Sequence, residues 1–253
     1  MQTLKDALRK RCKGYIDSRY PNWNLDAALR YLPIAEYLNR SDMNQVLDVG
    51  SGGAGLSLYW GRKTIALDLS ITAPLAASLT VPVIASATAL PFRDRSIEVI
   101  VSADVLEHLP RSDRTRMLSE MIRVSSSQVI LAAPCGRRAH MAEVDVERIY
   151  REKKGAPHPW LREHLAHGLP DEAEVQESLR SLARQDCRMA RIQVQKNTNL
   201  RLWHWVFRCY SGGGPRTSHF IRYYLLALIP LFRHLNWGET YRKIFFVRLQ
   251  PLP

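Results

Sequence analysis

Residues 44–68 read NQVLDVGSGGAGLSLYWGRKTIALD. The apolar run Val46–Val49 enters a glycine cluster, Gly50, Gly52, Gly53 and Gly55, and a second apolar run from Thr64 ends in Asp68. The pattern predicts strand, tight turn, short helix, strand. Glycine tolerates positive φ and lets backbone approach a ligand closely, and the free N–H groups at the start of the helix attract an anion. Asp68, at the end of the second strand, is placed to accept hydrogen bonds from both hydroxyls of a ribose. The spacing Gly50-x-Gly52-x-x-Gly55 fits the dinucleotide fingerprint literally. Asp48, two residues before the first glycine, pulls away from NAD. A carboxylate there repels a pyrophosphate but suits a ligand carrying an amino group and a sulfonium.

The chain downstream supplies the rest of a parallel sheet. Val81–Ser86 reads as a third strand, reached through a helix over Ile71–Leu79. Ile97–Ala103, IEVIVSA, is nearly continuous apolar sequence, as expected for a central parallel strand covered on both faces. It ends at Asp104, followed by VLEHLP. In an open α/β sheet the ligand crevice lies beyond the carboxyl ends of the strands, so Asp104 through His108 face it. His108 titrates near neutrality and is a candidate general base; a second reading gives it only the ordering of the loop. A helix over 111–123 and a fifth strand at Val129–Ala133 follow. The polar segment 137–170 is expected to lie over the crevice as a lid. It holds His140, His158, His164 and His167, half of the eight histidines. Their spacing offers no compact HxxxH and no paired thiolates, so no metal is expected. A helix over Asp171–Leu182 and strands at Ala190–Gln195 and Tyr241–Leu249 complete the pattern. Ahead of the core, residues 2–13 read as a short helix. Residues 24–39 read as a second, capped by Asn24 and kinked or restarted at Pro33.

Residues 44–68 together with ALPFRDRSIEVIVSADVLEHLP at 89–110 resemble the class I S-adenosylmethionine-dependent methyltransferases, specifically the type 11 group. The likeness covers about residues 44–135. Asp48, Gly50 and Gly52 fall in register with the first family motif, hhDxGxGxG; Ala54 stands where a third glycine is usual, and Gly55 comes one place later. Leu106–Leu109 match the family's LEHL element one for one. The resemblance implies a Rossmann-like α/β fold of seven strands, six parallel and the seventh running antiparallel between the fifth and sixth, with helices on both faces. It implies S-adenosyl-L-methionine as cofactor, held by Asp48, Gly50, Gly52, Asp68, Leu69, Ser86, Ala87 and Asp104, with methyl transfer beside His108 and Asp104. Ser86 stands where the family commonly has an Asp that receives the adenine amino group; a hydroxyl accepts a hydrogen bond there but carries no charge. The N–H of Ala87 is expected to meet the ring. The whole of 1–253 is expected to form one domain. It divides into N-terminal helices (1–40), of which the resemblance implies that the pre-core helix shields the cofactor while plain packing against the sheet is the other reading, a cofactor-binding core (41–136), the lid (137–170) and a C-terminal half (171–253) with an insertion at 200–238.

The formal net charge is +12, unevenly placed. Residues 188–253 hold eleven Lys/Arg and one acid, whereas 41–136 hold eight basic and nine acidic residues. Such asymmetry points to an anionic partner. The insertion 200–238 is rich in aromatic and basic residues. Its apolar run Tyr223–Phe232 is too short to span a bilayer and is broken by Pro230. It either lies in a membrane interface or packs as a helical cap. The methyl acceptor is accordingly expected to be a small molecule, a sugar or a lipid-linked anionic substrate, with Arg222, Arg233, Arg242 and Lys243 meeting its phosphates. RNA is the competing anion, since Trp203, Trp205 and Tyr210 interleave with Arg201 and Arg208. A non-catalytic cofactor-binding module is the other alternative. Four cysteines without a CxxC pair suggest reduced thiols. With no apolar signal region in MQTLKDALRKRCKGY, the expected location is the cytoplasm, peripheral to the inner face of the membrane.

Overall fold

The computed structural model describes residues 2–41, 43–53, 55–71, 76–214, 217 and 221–252. Seven strands form one sheet: β1 Val46–Val49, β2 Thr64–Asp68, β3 Thr80–Ile84, β4 Ile97–Ala103, β5 Ser125–Pro134, β6 Arg188–Asn199 and β7 Thr240–Pro251. Their spatial order is β3-β2-β1-β4-β5-β7-β6. β7 runs antiparallel to both neighbours, and the pairings among the other strands are parallel. This is the seven-stranded Rossmann-like sheet that the sequence predicts. The order reverses at β1, and β1 and β4 are paired there from Val46↔Val99 to Val49↔Ser102. Ligand crevices of open α/β sheets open at such a switch point.

The strand sequences explain the two-sided burial. Val46, Val99, Val101 and Ala103 pack on one face, with helices α2 (Leu25–Asn39) and α3 (Leu56–Trp60). Leu47, Val49 and Ile100 point to the other face, with α4 (Arg111–Val124) and α7 (Glu172–Gln185). Side chains alternate across a strand, so an unbroken apolar run serves both cores.

The N-terminal helix α1 spans Gln2–Arg19, longer than the 2–13 expected. α2 starts where the sequence says: the Asn24 carboxamide oxygen accepts from the N–H groups of Asp26 and Ala27. It then runs through Pro33 without a restart. A proline in that place deprives the carbonyl four residues earlier of its N–H partner. Here Leu29 is that residue, and Asn197 Nδ2 donates to its carbonyl at 3.0 Å. A side chain on β6 thus satisfies the group that the proline orphans.

The helix expected at Ile71–Leu79 falls largely outside the described residues; its described end is a 3-10 turn, Ala77–Leu79. Ala54 likewise lies outside them. The segment 137–170 is two helices, α5 (Arg137–Lys154) and α6 (Pro159–His167). α6 packs on a 3-10 turn at Leu106–His108, just beyond β4. The insertion begins with α8 (Leu200–Gly212) and ends with a short α9 (Ile229–Phe232). Leu225, Leu226, Ile229 and Phe232 are buried with α2 in the first core. The apolar run 223–232 therefore caps the domain with much of its length. Among the described residues no helix is long and apolar enough to cross a membrane.

Candidate active site

The glycine turn after β1 is built around two acids. Asp48 is fully buried, and its Oδ2 accepts the Leu56 N–H at 2.7 Å, holding the start of α3 against the strand. Gly55 is required for that contact, because a Cβ there would sit 2.7 Å from Asp48 Oδ2. Gly50 has φ +76°, and a Cβ on it would lie 2.1 Å from Val105 Cγ2. The turn is thereby clamped onto the loop that follows β4. Gly52, at φ +54°, has open space where a Cβ would be, as a backbone surface facing a ligand needs. Asp68 at the end of β2 accepts from Gly52 N–H at 2.9 Å and from Ser70 N–H at 3.2 Å. Leu69 beside it is 73% exposed. Ser86 shares a 2.9 Å hydrogen bond with the Thr88 hydroxyl, and Ala87 packs at the edge of the second core. Asp48, Gly50, Gly52, Asp68, Leu69, Ser86 and Ala87 thus all follow the carboxyl ends of the first three strands or lie on them.

Two valences in this crevice are open. Asp48 Oδ1 and Arg30 Nε are buried and have no hydrogen-bond partner among the described residues. Burial pushes the Asp48 carboxyl up to about 6, against the Leu56 N–H and the Arg30 charge. One unmatched carboxylate oxygen and one unmatched guanidinium N–H fit the ammonium and carboxylate of an amino-acid group. S-adenosylmethionine carries both. Arg30, on α2, was invisible as a site residue in the sequence.

Asp104 adopts φ +57°, which bends the chain as it leaves β4. Its carboxylate is bound side-on by Arg242 from β7, through Nε at 2.6 Å and through Nη2, and Arg30 Nη1 stands 3.2 Å away. Arg242 is fully buried and also reaches Asp26, Asn197 and Thr198. Burial alone would raise the Asp104 carboxyl; Arg242 and Arg30 outweigh it and hold it below the usual carboxylate range. A carboxylate committed to two guanidiniums is a poor base, so the geometry gives Asp104 the part of positioning Arg242 and Arg30.

His108 follows on the 3-10 turn. Its Nδ1 meets Glu163 Oε2 of α6 at 2.7 Å, and its Nε2 lies 3.3 Å from His164 Nε2. His164 Nδ1 meets Glu143 Oε1 at 2.9 Å, and the Tyr241 hydroxyl donates to the same oxygen at 2.6 Å. Glu107 is buried alongside, and among the described residues no other residue hydrogen-bonds either carboxylate oxygen. Burial and then the Asp104 charge push its carboxyl up to about 8. Burial and His164 hold the His108 imidazolium below its ordinary value. For His164, burial is outweighed by Glu143 and Glu107, and its pKa is raised. The other two histidines of 158–167 go elsewhere. His158 meets the rings of Tyr150 and Trp160 edge to face, and the His167 carbonyl accepts from Arg114.

A family model described as a methyltransferase domain matches residues 47–133, from inside β1 nearly to the end of β5. No curated protein matches the sequence. Among solved structures, a SAM-dependent methyltransferase of Thermotoga maritima superposes with a TM-score of 0.53 at 13% identity, covering 92% of this chain and 98% of its own. The plantazolicin methyltransferase BpumL, solved with SAH and a triazolic substrate analogue, gives 0.51 at 11% identity, with 98% and 93% covered. The [4+2]-cyclase SpnF gives 0.53 at 13%, with 87% and 81% covered. At such identities the likeness is one of fold. The matched segment contains Asp48, the glycine turn, Asp68 and the LEH turn. Over residues 47–133 the chain is similar to a methyltransferase domain, and it shares its fold with solved methyltransferases.

Proposed function

We propose that the enzyme transfers the methyl group to a hydroxyl oxygen of a small, sugar-like or lipid-linked anionic acceptor. The observation that carries this reading is the imidazole of His108 beyond β4, its Nδ1 tied to Glu163 and its Nε2 directed away from that carboxylate. Displacement at a sulfonium methyl needs in-line approach and little else. A hydroxyl nucleophile additionally needs its proton removed, and a carboxylate-oriented imidazole does this. The products are an ether and the neutral thioether S-adenosylhomocysteine.

The acceptor class draws support from a cavity of about 490 Å³ beside α6, lined by Tyr150, Lys154, His158, Trp160 and Tyr210. Aromatic faces with one lysine suit a sugar carrying a negative charge. Membrane contact is the finer part of the reading. Leu228, Leu231 and Trp237 are exposed, which favours an interface. The cations assigned to it are mostly taken: Arg242 is buried on Asp104, Arg233 pairs with Glu36 and Lys243 with Glu172. The side chain of Arg222 is outside the described set. RNA stacking loses Trp203, which is buried against Tyr241 and Phe207.

The test is transfer of labelled methyl into fractionated glycan, lipid, RNA and small-molecule pools, followed by His108→Asn. Turnover should fall ~10²-fold or more with cofactor affinity nearly unchanged. Unchanged turnover at saturating acceptor would refute the assignment of His108. Label confined to RNA would overturn the acceptor class.

A further inference from the structure

Glu107, His108 and His164 each present a ligand atom within 4.8 Å of the other two. The hydrogen bonds around them make the grouping informative. Glu163 and Glu143, as carboxylates, accept only. The Nδ1 atoms of His108 and His164, which lie against them, must therefore be N–H donors. A neutral imidazole protonated at Nδ1 has a lone pair at Nε2. When both rings are neutral, the two Nε2 atoms face each other at 3.3 Å, lone pair against lone pair. Beside them the buried Glu107 carboxyl has two oxygens that, among the described residues, no other residue hydrogen-bonds. Two imidazoles and one carboxyl group converge here, with a ligand atom of each within 4.8 Å of the others among the described residues.

We propose that Glu107, His108 and His164 form a binding site for a divalent metal of the Zn2+ class, and that it acts on the acceptor hydroxyl. This deepens the reading of the same crevice given above and rests on it for the identity of the acceptor group. The separation decides the geometry. Two imidazole nitrogens at ~2.05 Å from one ion and at the tetrahedral angle lie about 3.3–3.4 Å apart, whereas adjacent octahedral positions bring them to about 2.9 Å. The 3.3 Å between the His108 and His164 Nε2 atoms fits the tetrahedral pair, and the three donor atoms lie within 4.8 Å of one another. The donor set, two imidazoles and one carboxylate, is that of zinc sites with one open position. Each histidine already donates its other nitrogen to a carboxylate, the outer arrangement that fixes the tautomer and orients the ring. The Tyr241 hydroxyl, 2.6 Å from Glu143, extends that support onto β7. The histidine spacing within 158–167 did not suggest a metal because one ligand comes from that run and two from the turn after β4.

With the ion bound, its remaining position would take the acceptor hydroxyl and lower its pKa, so that His108 serves as a ligand and the ion replaces it as the group that activates the hydroxyl. The proton leaves to solvent or to Glu163, the O–CH3 bond forms as the S–CH3 bond breaks, and the charges balance without an oxidant. The alternative occupant of the gap is a proton shared between the imidazoles.

The test is Co2+ and Zn2+ binding to the full chain, stripped with chelator and shown by calorimetry to bind S-adenosylhomocysteine. One Co2+ per chain should bind, with the intense visible bands of tetrahedral Co2+, and Zn2+ should displace it. His108→Ala and His164→Ala should each abolish the bands. Glu143→Gln should weaken binding 10–100-fold, and His234→Ala should leave it unchanged. Wild-type protein that binds S-adenosylhomocysteine but gives no Co2+ band, or metal binding that survives the double histidine variant, would overturn the proposal. Neither result depends on the acceptor. Metal binding without methylation of any hydroxyl would instead count against the acceptor reading alone.

Discussion

Replacing Arg242 by Met removes a fully buried cation that ties β7 to the residue after β4 and to α2. Arg242 binds both oxygens of Asp104 and reaches Asp26, Asn197 and Thr198. Two unit charges about 4 Å apart attract by ~4 kcal/mol at an effective dielectric of ~20. Breaking one side of a buried pair costs ~3–5 kcal/mol, because the remaining charge keeps its desolvation penalty. Arg30 at 3.2 Å still shields Asp104, which places the expected loss near the lower bound, about 3 kcal/mol. Urea unfolding should show it as a shifted midpoint with an unchanged slope. Asp104→Asn keeps the positive φ that asparagine tolerates, so the Arg242→Met/Asp104→Asn double variant should recover part of the loss. A cycle coupling of ~1.5 kcal/mol or more is expected from contact of this kind. A single-variant loss under ~1 kcal/mol, or additive changes in the cycle, would refute the argument that this pair holds the crevice together.

Asp68→Ala should weaken S-adenosylhomocysteine binding by ~2–4 kcal/mol through the loss of charge-assisted ribose hydrogen bonds; wild-type affinity in calorimetry would remove Asp68 from the ribose. Gly50→Ala should cost ~1–2 kcal/mol for the left-handed backbone alone, plus the clash with Val105 Cγ2 at 2.1 Å. Trimming Val105 to Ala in the same chain should return the clash component only, so complete rescue would contradict the backbone part. Asp48, at about 6 when folded, has a raised carboxyl pKa. Its contribution to stability is therefore greatest below pH ~4 and is lost as pH climbs through ~6, a change of about 3 kcal/mol. Asp48→Asn should flatten that part of the stability–pH profile, and a profile parallel to wild type would count against the shift.

What could be read in the sequence was local. The glycine spacing, Asp48 and Asp68 sit within one strand-turn-strand stretch, and Asn24 and its helix lie within a few residues of each other. The apolar run of β4 announced its own burial. What was not legible depends on residues far apart in the chain. Arg242 counted as one surface cation among eleven in 188–253, yet the strand order carries it beneath Asp104, 138 residues away. No pattern around Tyr241-Arg242-Lys243 marks the middle residue as buried. His108 and His164 are 56 positions apart and meet only because α6 packs on the turn after β4. Pro33 looked like a helix breaker because Asn197, its remedy, lies on β6. Trp203 read as a base-stacking ring because its cover, Tyr241 and Phe207, is partly nonlocal.

The place of β7 in the sheet sets the order in which the protein can be assembled. β7 lies between β5 and β6, although it follows both in the chain. During synthesis, the outer edge of β5 and the inner edge of β6 must wait with their backbone donors and acceptors unsatisfied. Pairings such as Gln128↔Arg248 join residues far apart in sequence, and such closures are slow. Open strand edges are where chains stick to one another. This protein should therefore be most prone to aggregate, and most dependent on chaperones, in the interval before β7 docks. The same docking delivers Arg242 to Asp104 and Tyr241 to Glu143, so a nascent chain acquires its reactive crevice only when the sheet is closed.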